Sequence, residues 1–600
     1  MTNPTRVTVA CVLLAVASIA GAQTVQGKLA FQVSMERPGT HLLHIVLRCE
    51  GVEGATQEFK LPVWTPGYYR IVDFARHVVD FRAEDGAGQA LPWAKVTKNT
   101  WRVTTAGAAV VVVSYDLFAF ERSVADSFLD DSRAFISPAS AFMHPAGGLR
   151  HPVTVTLRQP EGWSRISTGL DPVEGRPGTF FAPDFDVLYD CPILIGNQEI
   201  LSFEVRGIPH RIALDGIGAL DRDKFTADLK RIVEAAVGLI GDIPYRHYTF
   251  IALGKGFGGL EHANSTVLLF NDPTPKDASD YTRWLAFIAH EFFHLYNVKA
   301  IRPVALGPFD YDRENYTDLL WMSEGFTVYY EDRIMRHAGL LTPEQFLERA
   351  GKVIAGFENA PGHLHQSAAQ ASIDTWIRFF DRGEDTVNTT ISYYDKGAAL
   401  AMLLDLKIRH ETGNVRSLDD VMRTLYRTFF QEKRRGFTDA ELRAVCEQTA
   451  GVPLAEIFDV YATTVKELDY PRYFAYAGLA IDTAPKMEPG GYLGATTLDR
   501  DGRLTVASLE WGSPGWQAGL GVDDELLSLD GTRLTARTLE DALKLHTSGD
   551  RVKLLISRRQ QVREIEVALG SKAERSFAIT RITSPDSLQT MILRDWLQER

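Results

Sequence analysis

The sequence predicts a multidomain α+β protein: a β-sandwich-like N-terminal domain, a mixed unit with a helical C-terminal half, and a last module of short strands. Three observations lead there. At 600 residues the chain is too long for one hydrophobic core, and three or four domains are expected. From Gly27 to about Gly216 the apolar residues come in short or alternating runs, and near Asp221 their spacing becomes helical. The stretch Pro485–Gly491 then reads as a linker before further short strands. The division that follows is a leader at 1–22, a β domain at 23–215, the mixed unit at 216–480, the short-strand module at 489–572 and a tail at 573–600.

Met1–Arg6 carries one basic side chain, Val7–Ala20 is apolar but short for a membrane span, and Ala20-Gly21-Ala22 supplies small residues before Gln23. This order predicts a secretory signal peptide cleaved after Ala22, with export to the periplasm or the medium; an uncleaved anchor is the alternative. No later run is apolar enough to cross a bilayer. The mature chain keeps Cys49, Cys191 and Cys446, which make no disulfide framework. A formal net charge of −13 argues against a nucleic-acid role, which calls for a basic face.

Within the β domain, Lys28–Val33, Leu42–Leu47, Ala109–Tyr115 and Val153–Leu157 read as strands separated by Gly, Pro and Asp clusters. Trp64-Thr65-Pro66-Gly67-Tyr68-Tyr69 is a dense aromatic turn. Its residues could line a groove, but packing at a sheet edge is the expected role. Phe225, Leu229, Ile232, Val233, Ala236 and Ile240 mark an amphipathic helix ending near Gly241. Tyr248–Leu253 and Thr266–Phe270 are strands on either side of Gly258-Gly259-Leu260-Glu261-His262. Trp321–Arg336, Ala398–His410, Leu418–Phe430 and Asp439–Gln448 read as helices.

The chemistry centres on His290-Glu291-Phe292-Phe293-His294. Leu285, Ile288, Ala289, Phe292, Leu295 and Tyr296 recur at helical spacing around it, with Asp277, Ser279 and Asp280 as candidate caps. A four-residue step on a helix puts His290 and His294 on one face, where both imidazoles reach one metal ion. Glu291 lies about 100° round, beside the ion, where a carboxylate can take a proton from water as in zinc peptidases. Catalytic zinc takes three protein ligands. On spacing, Glu324 competes for the third place with Asp310, Asp312, Glu314 and Asp318.

Trp321-Met322-Ser323-Glu324-Gly325-Phe326-Thr327 after the His290–His294 motif resembles the gluzincin zinc peptidases. The gap to Glu324 resembles that of their glycyl aminopeptidase family, metallopeptidase family sixty-one. Trp64–Tyr69, Asp73-Phe74-Ala75-Arg76-His77, Pro308-Phe309-Asp310-Tyr311 and a PDZ-like tail match that family too. The resemblance implies a thermolysin-like catalytic domain holding one Zn²⁺ on His290, His294 and Glu324, with Glu291 as general base. It makes Gly258-Gly259-Leu260-Glu261-His262 a strand along the substrate backbone, Glu261 holding the free α-ammonium; read on its own, the segment is a tight turn. His262 stands where the better-known motif has Asn. In Ser392-Tyr393-Tyr394-Asp395-Lys396-Gly397 the resemblance implies that Tyr394, with Tyr393 the alternative, donates to the oxyanion.

The expected function is a zinc aminopeptidase preferring a small N-terminal residue such as Gly or Ala, the preference coming from the family alone. The alternatives are an exported PDZ-containing zinc endopeptidase and a catalytically silent binding protein. Expected partners are peptide substrates and, at Tyr492-Leu493-Gly494-Ala495 of the PDZ-like module, a peptide C-terminus or an added strand. The sequence leaves the oligomeric state open.

Overall fold

The computed structural model describes residues 28–599; the expected signal peptide, 1–22, lies outside the described residues. The N-terminal region pairs Leu29–Ser34 with Leu42–Glu50 antiparallel and with Val153–Arg158 parallel, inside a seven-stranded sheet. In Leu29–Ser34 every second residue is buried, as expected of a strand covered on one face. A second sheet containing Thr56–Lys60 and Thr100–Thr104 shares the same core through Phe59, Trp101 and Val103, so the architecture is a sandwich.

The next sheet has five strands in the order Glu199–Val205, Ile208–Asp215, Tyr248–Gly254, Ser265–Phe270, Gly258–Glu261. Its first two strands precede residue 216, so the expected boundary at 215/216 cuts through this sheet. Their short alternating runs look like those of the β domain, and only pairing assigns them. Gly258–Glu261 is the edge strand, antiparallel to its neighbour with Glu261 opposite Thr266, and not a tight turn.

The helix Ala278–Phe293 starts at Asp277, whose carboxylate accepts from the Asp280 N–H at 2.8 Å, and carries His290 in its last turn. It packs on the helix Gly325–His337. The expected single helix from Trp321 is broken at Glu324, between Leu320–Ser323 and Gly325–His337. Tyr393–Glu411 runs through the centre of the helical half, capped by Ser392. Gly325 and Gly397 let these helices touch backbone to backbone: a Cβ on Gly325 would collide with Gly397 Cα. That contact brings Glu324 beside Tyr393 and Tyr394.

The C-terminal module is a separate six-stranded sheet around Leu493, Val506, Leu526, Leu554 and Val567. Two sequence expectations are corrected around it. Pro485–Gly491 is not a free linker, because Pro485–Met487 pairs with Ala573–Arg575. The tail after 573 is not peripheral. Its helix Ser587–Trp596 buries Trp596 completely, whose indole N–H donates to Tyr329 at 2.8 Å and whose carbonyl accepts from Arg333 at 2.6 Å. The module is therefore inserted between two strands of one ladder, its ends joined by Glu488 N–H to Lys572 carbonyl at 2.8 Å. Among the described residues no helix is long and apolar enough to cross a membrane.

Candidate active site

His290, Glu291, His294 and Glu324 are all buried, and the ligand atoms of His290, His294 and Glu324 lie within 4.8 Å of one another. Each imidazole is oriented from its far side. His290 Nδ1 donates to Glu331 Oε2 at 3.0 Å, and His294 Nδ1 donates to the Asn297 carbonyl at 2.7 Å. Both Nε2 atoms are thereby left as lone-pair donors. They face each other at 3.1 Å, and Glu324 Oε2 stands 3.7 and 3.2 Å from them.

This arrangement fits zinc. Two imidazole lone pairs and a carboxylate pointed at one spot repel unless a cation lies between them. Glu324 Oε2 is buried without a hydrogen-bond donor, as expected of a ligand oxygen. Burial works against the charge on Glu324, but His294 and His290 outweigh it and hold the carboxyl down at about 2.

Glu291 sits beside this set, and burial pushes its carboxyl up to about 7, against the pull of both histidines. The edge strand approaches it directly. A Cβ on Gly259 would fall on the Glu291 carboxyl group, so only glycine leaves the strand there. Glu261, Glu291 and His294 also converge within 4.8 Å. Glu261 is buried with Oε1 unpartnered. His262, next in sequence, is anchored elsewhere: its Nδ1 donates to Asp190 at 3.1 Å, and Asp190 also accepts from Lys299 at 2.7 Å.

The two tyrosines separate clearly. The Tyr393 hydroxyl is paired with Thr375 at 3.0 Å, and its ring is fully buried. Tyr394 is half-buried, its ring stacked on His290 at 6.2 Å and on Phe379 at 5.4 Å. Burial pushes its phenol well up, with Glu324 adding to the shift.

Several contributors escaped the sequence reading. Glu331 follows Glu324 by seven residues, two turns on one helix face, which is a signal that could have found it. Arg349 Nη2 donates to its other oxygen at 2.8 Å. The aromatic turn of the N-terminal region does more than pack. Trp64 is core, but a Cβ on Gly67 would lie 2.6 Å from Glu261 Oε1, and burial pushes the Tyr69 phenol well up, with the charges of Glu324 and Glu261 adding to the shift. The roof of the site thus comes from a different domain.

The fold and this constellation define a zinc metallopeptidase. Residues 30–197 match the Peptidase M61 N-terminal domain, residues 283–400 match M61 glycyl aminopeptidase and residues 491–569 match a PDZ domain. The resemblance to the glycyl aminopeptidase family with a C-terminal PDZ domain is borne out by these matches. An aminopeptidase N family protein from Idiomarina loihiensis shares 28% identity over 95% of this chain and 100% of its own, with a TM-score of 0.88. The M1 zinc metallopeptidase from Deinococcus radiodurans shares 14% identity over 74% of this chain and 95% of its own, with a TM-score of 0.47. No curated protein matches the chain.

Proposed function

We propose that the chain is an exported zinc aminopeptidase that releases a small N-terminal residue, Gly or Ala, from peptides. The observation that carries this reading is Glu261: a buried carboxylate with a free oxygen, on an edge strand, beside Glu291 and His294. An anion held there, out of water, binds a peptide's α-ammonium and sets the first peptide bond over Glu291. Gly67 lies so close to Glu261 that even a Cβ would collide with its carboxylate, and the tight space favours a small first side chain.

Zinc held by His290, His294 and Glu324 would act as a Lewis acid on the scissile carbonyl and acidify a water molecule. Glu291 takes the proton of the attacking water and passes it to the leaving amine, two steps that suit a carboxyl near 7. Tyr394 donates its hydroxyl to the oxyanion, while Tyr393 keeps Thr375 as its partner. Glu331 and the Asn297 carbonyl keep both imidazoles in the tautomer that presents Nε2.

The test is metal dependence. Chelation should abolish peptidase activity and Zn²⁺ restore it, and Glu291→Gln should retain one equivalent of zinc while losing turnover. Purified protein that takes up no stoichiometric zinc contradicts the reading.

A further inference from the structure

We infer that the PDZ domain is a second anchor for the same substrate molecule, taking the C-terminal carboxylate of a short peptide whose N-terminal ammonium lies at Glu261. The inference rests on the aminopeptidase reading above and narrows its substrates to oligopeptides with a free carboxylate and enough residues to span the two sites, about a dozen being sufficient.

Asn388 joins the catalytic half to the PDZ domain. This side chain is only 2% exposed, so its carboxamide must be paired. Its Nδ2 donates to the Leu509 carbonyl and its Oδ1 accepts from the Trp511 N–H, both at 2.8 Å. One side chain of the catalytic half thus grips two points on the PDZ backbone. Glu510, the residue between them, donates its N–H to the Gly494 carbonyl at 2.9 Å. Asn388 therefore holds the very segment that supports Tyr492-Leu493-Gly494-Ala495.

That segment is built to receive a chain end. Gly494 has φ +76°, and a Cβ there would collide with Ser513, so the turn is held tightly. Among the described residues, the N–H groups of Leu493 and Gly494 donate to no backbone acceptor in a turn, loop or cap, while the Leu493 carbonyl accepts from Gly515 at 2.8 Å. Free backbone donors at a tight turn suit a carboxylate. The strand that follows, Ala495–Arg500, lies at the edge of its sheet and, among the described residues, pairs only with Arg503–Leu509, so an extended peptide can add to it.

The distance to the chemistry is bounded by the chain. Asn388 precedes Tyr394 by six residues, which span at most about 22 Å. Adding the two hydrogen-bonded steps from Asn388 to Gly494 puts the turn within about 40 Å of Tyr394, the reach of about twelve extended residues. Two sites held at a set spacing convert the second contact into an intramolecular one, so affinity depends on peptide length.

The experiment uses full-length, zinc-loaded enzyme and peptides Ala-(Gly-Ser)n-Ala-Val of about three to about twenty residues, each as free acid and as C-terminal amide. Release of the first Ala is followed as kcat/KM. The free acids should exceed the amides by about tenfold once the peptide spans the gap, with the advantage declining at greater length. Asn388→Ala should flatten this profile, because the second anchor is then no longer held at a set spacing. Equal rates for acid and amide at every length would overturn the inference, as would an advantage independent of length. Hydrolysis of Ala-arylamide by the same preparation keeps the two readings apart. If the arylamide is cleaved while acid and amide peptides behave alike, only the second anchor is lost.

Discussion

Glu331 accepts a hydrogen bond from His290 Nδ1 at 3.0 Å while its other oxygen accepts from Arg349 at 2.8 Å. The imidazole is thereby held in one tautomer by a carboxylate that is itself held. Removing such a partner typically lowers metal affinity 10- to 100-fold. Glu331→Ala should therefore bind zinc more weakly by that factor, measured by competition with a chromogenic chelator. Glu331→Gln, which can still accept from Nδ1, should lose less.

Tyr394→Phe should lower kcat by roughly a hundredfold with little change in KM, since the oxyanion exists only after attack. Tyr393→Phe should cost stability instead, because its hydroxyl is paired with buried Thr375. Steady-state kinetics and thermal melts on the two variants check this. A silent Tyr394→Phe would move the role to its neighbour.

Gly259→Ala places a methyl group on the Glu291 carboxyl. The strand lies at a sheet edge, so the fold should survive. Hydrolysis should fall at least a hundredfold with zinc content unchanged, because Glu291 is displaced while the ligands are not. Metal analysis beside kinetics reads both.

Excising residues 489–571 and joining Glu488 to Lys572 through two glycines should leave a folded, zinc-binding enzyme active on Ala-arylamide. The two ends are already one hydrogen bond apart. Stopping the chain near Lys486 should fail, because it also removes Phe577, Trp596 and Leu597 from the core of the helical half. Loss of a buried Trp alone costs about 3–5 kcal/mol. Melting temperatures of the two proteins make the comparison.

Stability should fall in acid through buried histidines. Burial lowers His144 and His210 from 6.5 to about 4 in the folded protein. The unfolded chain binds more protons between those values, so the stabilisation is full above pH 6.5 and is lost as pH falls toward 4. His210 shows why: Nδ1 donates to the Ile208 carbonyl at 3.0 Å, and Nε2 accepts from the Tyr245 hydroxyl at 2.8 Å. A proton on Nε2 would break the second bond. The drop in melting temperature between pH 7 and pH 4.5 should be smaller in His210→Gln than in the parent.

What the sequence made legible is local. Helical spacing placed His290 and His294 on one face, and Asp277 appears as the cap of their helix. Glu324 stood out among nearby carboxylates only through the resemblance, since no spacing rule tells which acidic residue a break between two helices will turn inward. Gly67 reaches Glu261 from another domain, a contact of high sequence separation that no periodicity records. The Asn297 carbonyl reaches His294 only because Asn297 leaves helical geometry, at φ −111° and ψ 78°. The strands Glu199–Val205 and Ile208–Asp215 carry no mark of the sheet they join. The tail carries no mark of its role either, because the bond from Trp596 to Tyr329 joins residues far apart in the chain.

In the proposed reaction Glu261 reads a free N-terminus and the first peptide bond is cleaved. The most direct measurement compares kcat/KM for Ala-arylamide and N-acetyl-Ala-arylamide on the zinc-loaded enzyme and on Glu261→Ala. The unmodified enzyme should hydrolyse the free amine only, and Glu261→Ala should lose most of that advantage. Efficient cleavage of the acetylated substrate by the unmodified enzyme would contradict it.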